Sequence, residues 1–201
     1  SSPAPTRLPR VTDTACPELA LQPLRLLVEG PPKIGKTVVL RCLVELLRER
    51  ETVVGGFVTD EIREHDRRVG FAVCDLAGPE AVLAHQDFQT GVRVGRFGVD
   101  VSAFERVALP ALRRAQERRG VVIIDELGRM ELASAPFVEA VDALLAGSLP
   151  VVATVHISEH PVTDALKRRA DVERIAVTEA NRDELPAQLF RQLMRSVRPV
   201  D

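Results

Sequence analysis

Gly30-Pro31-Pro32-Lys33-Ile34-Gly35-Lys36-Thr37 fits the pattern G-x-x-x-x-G-K-[ST]. An apolar run, Leu24 to Val28, precedes it and an apolar-periodic stretch, Val38 to Leu47, follows, so a strand leads in and a helix leads out. In that setting the octapeptide reads as a phosphate-binding loop. Its glycines let the backbone curl so that N–H groups face a phosphate, and the next helix presents its positive end. Lys36 is placed to neutralise β- and γ-phosphates, and the Thr37 hydroxyl to ligate Mg²⁺. All eight residues are therefore candidate nucleotide contacts.

A second feature completes such a site. Val121 to Ile124 is a β-branched run that ends at Asp125-Glu126, two acids at the C-terminal end of a buried strand. There Asp125 can hold the metal shell, and Glu126 can take a proton from an attacking water. Arg63, Arg68, Arg96 and Arg129 are candidates for the positive charge that stabilises a transferring phosphoryl group. Thr154, on the following strand, is placed either between loop and acids or simply in the core. His156 lies two residues on and on the same face; it pairs with His160 at i, i+4, but Pro161 argues against a helical metal pair.

Around these motifs strands and helices alternate. Helix is expected from Lys36 to about Arg50, with Val39, Leu43, Leu46 and Leu47 on one face. Val53 to Thr59 and Val69 to Leu76 look extended, with charged Asp60 to Arg68 between them, and are expected to form an antiparallel hairpin at one sheet edge. Residues 77–100 read as irregular. Val101 to Arg119 reads as helix with a kink or boundary at Pro110, and Ser134 to Ala146 as another helix. Then come a strand at Pro150 to Val155, a helix at Val162 to Arg169, a strand at Arg174 to Val177 and a helix from Asn181 to about Arg195. This order implies an α/β fold: a doubly wound, mainly parallel sheet with helices on both faces.

Bulk properties narrow the choices. A chain of 201 residues suits one domain, expected over 24–198, and Pro3, Pro5, Pro9, Pro17 and Pro23 mark residues 1–23 as a flexible tail or an expression remnant. Lys and Arg number 27 against 29 Asp and Glu, so the net charge of −2 gives no strong nucleic-acid signal and no attraction to anionic lipid. No apolar segment approaches the ~20 residues that span a bilayer, and the N-terminus lacks a secretory signal, so a soluble protein is expected. Cys16, Cys42 and Cys74 are widely spaced with no C-x-x-C, against both a disulfide framework and a zinc site; a reducing, cytoplasmic setting fits. Cys42 and Cys74 lie in apolar stretches and read as small hydrophobes.

Several strings beyond the phosphate loop carry a more specific likeness. They are Phe57-Val58-Thr59-Asp60-Glu61-Ile62-Arg63, Arg68-Val69-Gly70-Phe71, Val94-Gly95-Arg96-Phe97-Gly98-Val99-Asp100, Ala108-Leu109-Pro110, Asp125-Glu126-Leu127-Gly128-Arg129-Met130-Glu131-Leu132, and Asn181-Arg182. From about Leu24 to Leu193 the chain resembles the small cancer-related, thermophile-type nucleoside-triphosphatases, a compact branch of the P-loop ATPases. That resemblance implies Mg²⁺-dependent hydrolysis of nucleoside triphosphates to diphosphate and phosphate, slow and with loose base selectivity. It puts Gly30 to Thr37 on the phosphates and Asp125 with Glu126 at metal and water, and leaves Arg63, Arg68 and Arg96 unassigned. The chain departs from the family pattern at Lys33, where glycine is common, at Val38, where a second threonine often stands, and at Val58, where an aromatic is frequent.

No N-K-x-D string is present to pair with guanine, so Thr178, Asn181 and Arg182, after the last strand, are the candidate base contacts. Backbone or stacking contacts there would serve ATP, GTP, CTP and UTP alike. Two other readings stay open on sequence alone. One is a nucleotide or small-molecule kinase with Glu61 to Arg68 as lid; the other is a nucleotide-gated binding module with a partner at residues 77–100. The sequence leaves the oligomeric state unspecified.

Overall fold

Buried branched residues build a nine-stranded mixed sheet in the computed structural model, which describes residues 23–156 and 159–197. The expected tail, apart from residue 23, and Cys16 fall outside the described residues. In chain order the strands are β1 (Arg25–Glu29), β2 (Val54–Glu64), β3 (Arg67–Asp75), β4 (Glu80–His85), β5 (Val92–Val94), β6 (Phe97–Val99), β7 (Val121–Leu127), β8 (Val151–Val155) and β9 (Glu173–Ala176). The helices are α1 (Lys36–Glu49), α2 (Val101–Glu117), α3 (Ala135–Ala146), α4 (Pro161–Lys167) and α5 (Leu185–Val197).

Across the sheet the order is β5-β6-β4-β3-β2-β7-β8-β1-β9. From β2 to β9 neighbours run parallel; from β2 to β5 they run antiparallel. The core is thus mainly parallel, as expected of an α/β fold. Strand alternation explains how both faces are covered. On β7, Val121 and Ile123 pack with Val39, Leu43 and Leu189 of α1 and α5, while Val122 and Ile124 pack with Phe104 and Val141 of α2 and α3. Phe104 sits edge-on to Phe57 and Phe137, with centroids 5.6 and 4.9 Å away, and closes the second layer.

Local chemistry fixes the helix starts. Asp100 accepts from the Ala103 amide at 2.8 Å to cap α2, and Ser134 accepts from Phe137 at 3.1 Å to cap α3. Pro110 lies inside α2 without ending it, because Val107, Ala108, Ala111 and Leu112 stay buried on either side. No helix among the described residues is long and apolar enough to cross a membrane.

Three expectations need correction. The β2–β3 hairpin is not at the edge: β4, β6 and β5 continue the sheet beyond it, and these strands occupy the stretch expected to be irregular. The charged segment 60–68 is no separate loop. β2 runs to Glu64 and turns at His65 and Asp66, whose positive φ values of 45° and 62° match the turn that a tight, right-twisted ribbon needs. Finally, α5 begins at Leu185, with Asn181 in the turn before it.

Candidate active site

The phosphate loop joins the end of β1 to α1. Gly30 has no room for a side chain, since a Cβ there would come within 2.8 Å of Ile34 and 3.5 Å of Val177. Gly35 caps α1 at φ 113°, a conformation glycine tolerates, and no side chain satisfies the first amides of the helix. Those donors face outward, ready for an anion. Lys33 also sits at a positive φ, 67°. That geometry explains why glycine is common there, and why this chain carries local strain at the loop.

Lys36 is buried, with its ammonium folded back on the Gly30 and Pro31 carbonyls at 2.9 and 3.3 Å. Because β8 separates β1 from β7, Thr154 stands between loop and acids. Its hydroxyl donates to Asp125 Oδ1 at 2.6 Å, while the Thr59 amide and hydroxyl reach Oδ2 at 3.4 and 3.3 Å. Asp125 is fully buried. Burial pushes its carboxyl above the usual aspartate range, against hydrogen bonds from Thr154 and Thr37 that favour the charged form. The Asp125–Glu126 peptide bond is cis.

Glu126 lies beside this cluster. Its Oε1 lies 2.5 Å from His156 Nε2, so the carboxylate and the imidazole are in direct contact. Glu126, His156, Lys36, Thr37, Arg68 and Phe71 share one cavity of about 510 Å³, a size that suits a small ligand. His160 is engaged elsewhere: its Nδ1 accepts from Val162 at 3.3 Å to cap α4.

The four arginines separate in space. Arg68 lines the cavity. Arg63 is exposed and pairs with Glu61 at 2.6 Å and the Asp66 carbonyl at 2.9 Å. Arg96 stands behind Arg68, donating to its carbonyl, and Arg129 lies exposed in an adjoining recess near His160. At the other end of the loop, Arg182 Cδ is 3.9 Å from where a Gly35 Cβ would stand. Thr178 and Asn181 are occupied with one another: the Thr178 amide donates to Asn181 Oδ1 at 2.8 Å, and the Asn181 amide to Thr178 Oγ1 at 3.3 Å. The Asn181 side chain also donates to the Ala176 carbonyl at 2.9 Å.

The sequence assigns no role to Thr59 or Glu131, and includes Glu61 only in the Glu61 to Arg68 lid of the kinase reading. Glu131, on the 3-10 turn Glu131–Ala133, is buried and accepts from the Gly128 amide at 3.1 Å. Burial, then the nearby Glu126 carboxylate, push its carboxyl up to about 8. The sign follows from linkage. Between about pH 4.5 and 8 the unfolded chain has released this proton while the fold keeps it, so stability falls as pH rises through that window. Glu131→Gln keeps an acceptor for Gly128 and removes the titration. It is expected to flatten the pH slope of denaturant unfolding and to be more stable than wild type at pH 8; parallel slopes would contradict this.

The oxygen donors suit a hard divalent cation. No cluster of three or more His, Cys, Asp or Glu among the described residues could hold an ion alone. A threonine hydroxyl and one carboxylate at a phosphate loop match Mg²⁺, which keeps water and phosphate oxygens as its other ligands.

A family model described as NTPase matches residues 25–190. The chain is 44% identical over 170 residues to Nucleoside-triphosphatase THEP1 of Thermofilum pendens, covering 83% of this chain and 93% of that one. It superposes on the crystal structure of THEP1 from Aquifex aeolicus with a TM-score of 0.75 at 31% identity, covering 85% of this chain and 99% of that one. On the solution structure of a human cancer-related nucleoside triphosphatase the TM-score is 0.76 at 32% identity, with coverage of 88% and 100%. The expected resemblance holds over residues 25–190, and the chain belongs to the NTPase family of nucleoside-triphosphatases, hydrolases that act on phosphoric anhydrides.

Proposed function

We propose that the chain hydrolyses nucleoside triphosphates to diphosphate and phosphate with Mg²⁺ as cofactor, accepting ATP, GTP, CTP and UTP with little preference. The observation that carries this reading is the Glu126 carboxylate, whose oxygens stand beside His156 at the same cavity that Lys36 and Thr37 line. Such an oxygen can accept the proton of an attacking water.

The steps follow from the side chains. The polyphosphate docks on the open amides at the start of α1, and Lys36 exchanges two neutral carbonyls for phosphate oxygens. Thr37 and Asp125 would hold Mg²⁺, which would supply positive charge to offset the charge developing on the phosphates. Thr154 and Thr59 fix the Asp125 carboxylate, and Glu126 orients a water toward the terminal phosphorus and takes its proton. Lax base choice is supported by Thr178 and Asn181, whose polar groups are spent on the turn itself, leaving stacking on Arg182 and backbone contacts. Free thiols at Cys42 and Cys74 support a cytoplasmic setting.

Phosphate release from the four nucleotides, with no added acceptor, tests the reading. Rates within about fivefold of one another, and their abolition by a chelator with recovery on adding Mg²⁺, are expected. Turnover that requires an acceptor other than water would replace hydrolysis by a kinase reaction.

A further inference from the structure

We propose that Arg68 is the side chain that contacts the transferring phosphoryl group, presented by the β2–β3 ribbon and held ready by Glu61. The inference rests on the hydrolytic reading above and deepens it by selecting one arginine of four. Three observations converge. Arg68 lines the same cavity as Lys36, Thr37 and Glu126, which Arg63, Arg96 and Arg129 do not. Its guanidinium lies 5.0 Å over the Phe71 ring and 6.0 Å from the Phe97 centroid, so its plane is supported on aromatic faces. Its Nε is sealed from water and has no acceptor. A buried donor left open on a guanidinium facing a phosphate cavity calls for an anion.

The surroundings explain the placement. A bulge between Ile62 and Arg63 breaks the ribbon's register near its tip, the kind of irregularity that re-aims side chains. Glu61 receives Arg68 at 2.7 Å and Arg63 at 2.6 Å, one carboxylate shared by two guanidiniums. Partial burial opposes ionisation of Glu61, yet Arg68 and Arg63 hold it below the usual carboxylate range. Arg96 stacks 5.0 Å over Phe97 and donates to the Arg68 carbonyl, bracing the backbone from behind. The other acid of this wall, Asp60, pairs with Arg41, so Glu61 is the carboxylate that holds Arg68. A terminal phosphate, with more charge and three oxygens, outcompetes Glu61 for the Arg68 fork.

The test measures phosphate release, nucleotide affinity and binding of the transition-state mimic ADP–aluminium fluoride in wild type, Arg68→Ala, Arg68→Lys and Arg129→Ala. Arg68→Ala is expected to lose about a hundredfold in kcat, to bind ADP within about threefold of wild type, and to lose its tight grip on the mimic. Arg68→Lys is expected to recover little, since an ammonium supplies neither the fork nor the flat stack. Arg129→Ala is expected to match wild type. If Arg68→Ala melts early, Arg68→Lys, which keeps the charge and the aliphatic stem, carries the comparison. Full turnover and full mimic affinity without Arg68, or the same losses in Arg129→Ala, would overturn the assignment. Failure of wild type to release phosphate would instead count against the hydrolytic reading, and the mimic still reports on Arg68 in that case.

Discussion

Glu126→Gln is expected to lower phosphate release about a thousandfold while nucleotide affinity stays within a few fold. The substitution keeps the side chain's length, its place beside His156 and its contact with the cavity, and removes only the capacity to take a proton. General-base catalysis contributes ~10²–10⁴ in rate, and an amide cannot supply it. The fold should tolerate the change well. Glu126 shares its corner with Asp125 and Glu131, and its charge helps to keep the Glu131 carboxyl protonated near neutral pH, so a neutral amide relieves repulsion. Stopped turnover with intact binding and an unchanged or raised Tm is therefore the expected pattern. Equal rates in wild type and the glutamine variant would remove Glu126 from catalysis and turn attention to His156.

How far these residues can be read from the chain depends on how local their physics is. The phosphate loop is legible because Gly30, Gly35, Lys36 and Thr37 answer to one ligand through adjacent backbone, and β1, β7 and β8 are legible because strands buried on both faces need unbroken branched runs. The segment 77–100 is not. β4, β5 and β6 are three to six residues long, and β4 takes its partners from β3 and β6, so their extended form is imposed from outside. Cys42 shows the reverse error: it sits among apolar neighbours, yet helical period sends Val39, Leu43 and Leu47 inward and Cys42 to solvent. Cys74, half-buried on β3, packs against the α1–α5 layer while its thiol donates to the Asp60 and Glu80 carboxylates. Glu131 and Thr59 are invisible for a third reason. Each has meaning only through distant chain, Glu131 beside Glu126 and Gly128 where the 3-10 turn folds back, and Thr59 beside Asp125 from the neighbouring strand.

Lys36→Ala is expected to raise the nucleotide Kd at least about a hundredfold, the equivalent of roughly 2.7 kcal/mol, and to leave no measurable turnover. In the free protein the ammonium is buried against two neutral carbonyls, Gly30 and Pro31, with no carboxylate partner among its bonds. A buried cation satisfied only by neutral acceptors binds an entering polyanion without first breaking an ion pair. Removing it takes away the strongest attraction in the loop and also the tie that closes the loop onto its own start. The two carbonyls then face the cavity, where water can satisfy them, so folding itself should be little affected. Thermal unfolding separates these effects. Nucleotide at a hundred times its Kd is expected to stabilise wild type by about 2.7 kcal/mol and Lys36→Ala by no more than about 0.4 kcal/mol at the same concentration. A variant that gains nearly as much stability as wild type would show that the open amides of α1 bind the phosphates without the lysine.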